Sequence, residues 1–156
     1  MKTDVDIAVI GAGAVGLAAA LMAAQQGLRV AIVEAHAPVA WRADQPDLRV
    51  YALALDNQVL LENLGVWPAV KARRAEPYFA MTVFDEVQGS PLRFNAGDLG
   101  RSHLGHIVEN NVLVETLWQA LQPLKNVSLH CPDKIRAVSN QEDSVMLTLQ
   151  SGLEIS

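Results

Sequence analysis

The opening residues constrain this chain more than any other segment. A β-branched apolar run, Val5-Asp6-Ile7-Ala8-Val9-Ile10, passes directly into Gly11-Ala12-Gly13-Ala14-Val15-Gly16. An alanine- and leucine-rich stretch from Leu17 to Gln26 follows, then Gly27 and a second β-branched run, Arg29-Val30-Ala31-Ile32-Val33-Glu34. The two short apolar runs read as strands buried on both faces. The stretch between them reads as a helix that Gly27 ends. Strand, helix and strand in so short a span form a parallel crossover unit, which commits the chain to an α/β fold.

The pattern G-x-G-x-x-G arises by chance in many proteins, and its position decides what it means. Here the glycines leave a strand, open a helix and precede an acidic residue at the end of the next strand, the Rossmann-like arrangement for a dinucleotide. Gly11 permits the tight turn. Gly13 lets the main chain approach a pyrophosphate, and Gly16 lets the helix pack closely on the strand. The free N–H groups of the helix start then face the phosphates. Glu34, 23 residues after Gly11, is placed to accept hydrogen bonds from the adenosine ribose. The competing reading is a glycine-rich turn that binds nothing, with Glu34 a solvated strand end. FAD and NAD share the adenosine diphosphate half, so the fingerprint alone does not separate them. Two features disfavour NAD. Tyr51 and Tyr78 are followed four positions later by Leu55 and Thr82, so no Tyr-x-x-x-Lys pair exists. A long loop, and no repeated α/β pattern, follows Glu34.

That loop covers residues 35 to 48, with Pro38 and Pro46 and no helical period; long loops inside compact domains are commonly functional. A helix is expected from Asp56, as its cap, to Leu64, closed by Gly65. Pro68 opens a further short helix towards Arg74. Met81–Phe84 and Leu92–Phe94 read as strands around Gly89-Ser90-Pro91. Residues 111 to 121 read as a helix with Val112, Leu113, Leu117, Ala120, Leu121 and Leu124 on one stripe. Three strands follow, Val127–Cys131, Ile135–Ser139 and Val145–Leu149, with a turn over Asn140–Asp143 and another starting at Ser151-Gly152. The chain closes as a further strand begins. A hairpin arm without a partner leaves unpaired backbone, so residues 1–156 are expected to be a truncated, N-terminal part of a longer protein.

Composition narrows the class. Hydrophobic residues make up 51% and charged residues 19%, which excludes a disordered tail. The formal charge of −5, from 17 acidic and 12 basic side chains, argues against a nucleic-acid partner. One cysteine, Cys131, forms no internal disulfide, which fits a reducing, intracellular compartment. The apolar start mimics an export signal, but Asp4 and Asp6 outweigh Lys2 and three glycines interrupt the run.

Three blocks carry a resemblance to a known family: Asp6 to Glu34; Asp47-Leu48-Arg49-Val50-Tyr51-Ala52-Leu53, continuing to Leu64-Gly65-Val66-Trp67; and Gly105-His106-Ile107-Val108-Glu109-Asn110-Asn111. The chain resembles, over essentially its whole length, the N-terminal part of the FAD-dependent aromatic hydroxylases of ubiquinone biosynthesis, which are para-hydroxybenzoate hydroxylase-like flavin monooxygenases. The resemblance implies a Rossmann-like FAD-binding fold that is incomplete at its C-terminus, with the rest of the FAD domain and most of the substrate domain missing. It also implies FAD as cofactor, NAD(P)H as reductant, and O2 as co-substrate for hydroxylation of a polyprenylated phenol or quinol. On this reading the fragment alone is inactive, and the full-length parent is a cytoplasmic enzyme that works at the inner membrane surface or in a biosynthetic complex, although no residue here forms an anchor. Arg49 matches the family's arginine near flavin and pyrophosphate. Asn110 stands where relatives carry Arg or Gln, and N-capping of its helix explains it equally well. The main chain around Arg136 matches a segment near the adenine. No catalytic acid or base is assigned.

Other readings stay open: a non-catalytic nucleotide-binding or assembly module, and an NAD-linked dehydrogenase fragment. His103 and His106 lack a third ligand for a metal. Glu109 reads as a hydrogen-bonding group of the loop or flavin side. Trp67 and Trp118 read as core, Cys131 as an inert buried thiol, and Arg73 and Arg74 as a solvated helix face.

Overall fold

The computed structural model describes residues 2–84 and 89–156. Strands are β1 (Lys2–Thr3), β2 (Ile7–Ile10), β3 (Val30–Val33), β4 (Val50–Ala54), β5 (Ala75–Tyr78), β6 (Ala80–Val83), β7 (Leu92–Asn95), β8 (Gly105–Glu109), β9 (Val127–His130), β10 (Ile135–Asn140), β11 (Val145–Leu149) and β12 (Glu154–Ile155). Helices are α1 (Ala14–Gln25), α2 (Leu55–Asn63), α3 (Trp67–Arg73) and α4 (Asn110–Leu121). The chain divides into two compact units, one of Met1–Trp41 with Leu113–Ser156 and the other of Arg42–Val112.

The first unit contains the crossover. β2, β3 and β9 form a parallel sheet in that order, with Ile7 opposite Val30 and Val30 opposite Val127. α1 buries Leu17, Ala20, Leu21 and Ala24, and it ends at Gly27, whose φ of +84° suits glycine. A second sheet runs β1-β12-β11-β10. Ala31 and Val33 of β3 join Leu147, Leu149 and Ile155 in one buried cluster. Two expectations change here. β3, flanked on both sides, is buried throughout, but β2 has β3 as its one neighbour in the sheet and leaves Ile7 and Ile10 exposed. The last strand is no open arm: β12 pairs antiparallel with β11 and parallel with β1.

The second unit is built on an antiparallel sheet, β4-β8-β5, with the hairpin β6-β7 and helices α2 and α3. The hairpin was legible in the sequence; β4, β5 and β8 were not. Strand β4 runs straight into α2, whose cap position is Ala54, so Asp56 lies inside the first turn and is not the cap. An acidic residue there still favours the positive end of the helix. Gly105 is required at the centre of this sheet, because a Cβ there would overlap the Leu53 carbonyl and lie 2.9 Å from the Tyr78 ring. Leu61, Leu64, Val66, Trp67, Val70 and Val108 supply the apolar burial. Among the described residues no helix is long and apolar enough to cross a membrane.

Candidate functional site

In the first unit, β2 stops at Ile10 and the backbone reverses at Gly11, which takes a φ of +100°. The Gly11 N–H donates to the Val33 carbonyl at 2.8 Å, so the turn stays stitched to β3. Gly13 occupies the N-cap position of α1 and no side chain caps the helix. Leu17 donates the first intrahelical bond, to the Gly13 carbonyl at 2.9 Å. The amides of Ala14, Val15 and Gly16 precede that bond and have no carbonyl within the helix to receive them. They form a concentration of N–H dipoles suited to an anion.

The glycines differ in what they tolerate. A Cβ on Gly16 would overlap the Gly11 carbonyl oxygen and lie 3.2 Å from Val9, so close packing of helix on strand excludes it. A Cβ on Gly13 would meet nothing within 4 Å, and its φ of −74° suits any residue. The fold therefore does not explain a glycine at 13.

Glu34 follows β3 and reaches back to the turn. Its Oε2 accepts the Ala12 N–H at 2.6 Å, and its Oε1 accepts the His36 N–H at 3.0 Å. Burial alone raises this carboxyl, but the N–H groups of Ala12, His36 and Ala35 outweigh that effect and hold it below the ordinary range, so it is an anion at neutral pH. Beside it lies a cavity of about 230 Å3 lined by Gly11, Val33, Glu34, Asp133, Lys134 and Ile135, among others. Arg136 does not line it and is exposed on β10. Cys131 is half-buried; burial, then the charge of Glu34, raises its thiol, consistent with an inert residue.

The second unit holds Arg49 and Asn110. The Asn110 N–H donates to the Arg49 carbonyl at 2.9 Å, and the Arg49 side chain is exposed. Asn110 is the first residue of α4, and its Oδ1 accepts the Tyr51 hydroxyl at 3.2 Å. The side chain that serves the start of α4 is Asp47, whose Oδ2 accepts the Asn111 N–H at 3.2 Å and whose Oδ1 accepts the Arg49 N–H at 2.9 Å. The Arg49 N–H is the chief cause that holds the Asp47 carboxyl below its usual range. Glu109 accepts the Asp47 N–H at 2.9 Å and pairs with Arg74, which also donates to the Ala43 carbonyl at 2.7 Å. Arg74 is thus a structural partner of a buried carboxylate and not a solvated cation. The resulting arrangement of Asp47, Glu109 and Arg74 pins the loop ahead of β4. Local sequence carries no signal of it, since Asp47 and Asn111 are 64 positions apart.

His103 and His106 lie edge to face with ring centroids 4.7 Å apart, and His106 packs edge-on to Trp67 at 5.0 Å. Among the described residues no group of three metal-ligating side chains accompanies them.

With this geometry in place, comparison with known proteins is informative. The FAD dependent oxidoreductase family (DAO) matches residues 6–45. The chain is 39% identical over 148 residues to 3-demethoxyubiquinol 3-hydroxylase of Escherichia coli (strain K12), which covers 94% of this chain and 38% of that protein. It is 30% identical over 148 residues to ubiquinone hydroxylase UbiL of Rhodospirillum rubrum, covering 94% of this chain and 34% of that protein. Among solved structures, p-nitrophenol 4-monooxygenase PnpA from Pseudomonas putida DLL-E4 superposes with a TM-score of 0.77 at 21% identity, over 99% of this chain and 40% of that one. The resemblance to ubiquinone hydroxylases read from the three sequence blocks is borne out, as is the α/β fold of flavin monooxygenases. The chain spans less than two-fifths of the length of these two curated relatives.

Proposed function

We propose that this chain is the FAD-binding portion of an NAD(P)H- and O2-dependent monooxygenase that hydroxylates a polyprenylated phenol or quinol in ubiquinone biosynthesis. The observation that carries the proposal is Gly13: a glycine that the fold leaves free to be alanine, at an uncapped helix start, beside an ionised Glu34. The similarity to ubiquinone hydroxylases over 94% of the chain supports the reaction class.

The residues present fit the adenosine diphosphate half of FAD. Gly11, Gly13 and Gly16 form the turn, and the amides after Gly13 bind a diphosphate through hydrogen bonds and the positive end of the helix dipole. Glu34 keeps acceptor capacity for a ribose hydroxyl after binding the N–H groups of Ala12, His36 and Ala35, since a carboxylate has about four lone-pair sites. Arg49 contributes a guanidinium for diphosphate charge, and Asn110 a short amide, both assigned by resemblance. When bound, FAD supplies the redox chemistry, taking electrons from NAD(P)H and activating dioxygen for transfer to a phenolic ring. The protein's part is to bind, orient and exclude water. Association with a membrane surface belongs to the same proposal, through its lipophilic substrate.

Two measurements test this reading. FAD titrated into the intact chain is expected to bind with one-site stoichiometry and to be displaced by ADP. In a polypeptide of the relatives' length, a prenylated phenol is expected to stimulate NAD(P)H oxidation with formation of a hydroxylated product. Absence of FAD binding in both would overturn the proposal; tighter binding of NAD than of FAD would favour a dehydrogenase fragment.

A further inference from the structure

In the second unit, the two residues assigned to the cofactor by resemblance, Arg49 and Asn110, share one partner. We infer that Asp47 is a positioning residue, which touches no ligand itself and holds Arg49 and Asn110 ready for the cofactor. This rests on the FAD-binding reading above and deepens it.

Three observations converge. The first is the set of donors that Asp47 gathers. Its Oδ1 accepts the Arg49 N–H at 2.9 Å, and its Oδ2 accepts the Asn111 N–H at 3.2 Å. The Asn110 side chain hydrogen-bonds the same carboxylate. The Asn110 N–H in turn donates to the Arg49 carbonyl at 2.9 Å. The main chain at Arg49 is therefore fixed on its donor side and its acceptor side, and Asn110 is fixed with it.

The second observation is what these bonds leave free. Each oxygen of Asp47 is engaged by a main-chain donor, and the Arg49 guanidinium is not drawn onto either of them. That guanidinium is exposed and has no hydrogen-bond or ion-pair partner among the described residues. A cation anchored through its backbone, with its head uncommitted, is pre-organised for an anionic group, because no existing pair must first be broken. Asn110 is oriented as well, since its Oδ1 accepts the Tyr51 hydroxyl at 3.2 Å.

The third is the anchorage of Asp47 itself. Its N–H donates to Glu109 Oε2 at 2.9 Å, and Glu109 is buried and paired with Arg74. Arg74 also donates to the Ala43 carbonyl at 2.7 Å, so the segment ahead of Arg49 is fastened at both ends. A positioning group is effective when its own placement is locked by further contacts. Asp47 meets that condition, and it links the buried ion pair to the two residues assigned to the cofactor.

The test is calorimetric titration of FAD into the intact chain and its variants, arranged as a mutant cycle. Asp47→Ala is expected to weaken FAD binding about tenfold. In a chain that already carries Arg49→Ala and Asn110→Ala, the same change is expected to cost about twofold or less. A merely structural role would cost the same factor in both backgrounds, so equal losses overturn the inference. Asp47→Asn keeps one acceptor oxygen and is expected to lose about threefold, again only where Arg49 and Asn110 are present. This milder variant carries the test if Asp47→Ala does not fold. Unchanged FAD affinity in Asp47→Ala also overturns the inference. If FAD binds but Arg49→Ala with Asn110→Ala loses nothing, the inference fails while the reading of the glycine turn stands. If the unsubstituted chain binds no FAD, that reading itself fails and takes this inference with it.

Discussion

Glu34 and Glu109 occupy equivalent places in the two units. Each sits at the end of a strand and accepts a backbone N–H from a distant segment, Ala12 in one case and Asp47 in the other. Their surroundings differ. Glu109 is 4% exposed and is paired with Arg74. Glu34 is held by backbone amides and borders an open cavity. A buried carboxylate whose charge is met by a guanidinium is fully occupied with holding its loop. One stabilised by N–H dipoles, with acceptor sites to spare, remains available to a ligand. Two glutamates with similar local sequence thus separate into a fastening and a candidate binding group, through partners far away in the chain.

The same comparison runs through the glycines, and the largest expected effects lie there. Gly105→Ala in the second unit and Gly16→Ala in the first each drive a Cβ into a backbone carbonyl. Each is expected to cost about 3 kcal/mol or more, read from urea denaturation, because main chain cannot move aside as a flexible side chain does. Gly16→Ala is also expected to abolish ADP binding. If either substitution is neutral, the close approach is wrong. Next in size, Glu109→Gln removes the charge facing Arg74 and is expected to lower stability by about 2 kcal/mol. Glu34→Gln is expected to change stability by less than about 1 kcal/mol while weakening ADP about tenfold. The reverse ranking would dissolve the distinction between the two carboxylates.

The smallest effect concerns His106. Burial, then the neighbouring His103 and Lys71, hold its imidazole below the ordinary value against a weaker opposing pull from Glu76. The unfolded chain therefore takes up a proton that the native sheet refuses, and stability rises with pH in that window. Stability is expected to be full above the ordinary histidine value of 6.5 and to fall as pH drops through it towards the lowered native value. His106→Gln should flatten that slope in denaturation curves measured between about pH 7 and 5; an unaltered slope assigns it to other groups.

How much was legible follows from the range of the interactions. The strand, glycine turn, helix α1 and strand β3 are encoded within the first 34 residues, where apolar period, helix propensity and glycine punctuation agree. The pairs Gly27 with α1 and Gly65 with α2 were likewise local. Strands β4, β5 and β8 escaped because their identity is settled by each other: Tyr51 is opposite Val108, and Ala75 is opposite the same residue from the other side. Alanines in β4 and a proline in β5 hide strand character until a partner is present. For the candidate site, the turn at Gly11, Gly13 and Gly16 and the placement of Glu34 beside it were readable from spacing. The roles of Asp47 and Arg74 in the second unit were not, since each meets residues tens of positions away. Arg74 was misread as solvated for that reason.

The account depends most directly on Gly13, whose replacement by alanine costs the fold nothing that the structure records. ADP titrated into Gly13→Ala and into the unsubstituted chain, with thermal melting of both, isolates ligand approach from folding. The account predicts superimposable melting curves and an ADP affinity weakened about tenfold or more. Equal affinities in the two proteins would contradict it, because the diphosphate would then lie somewhere other than against the start of α1.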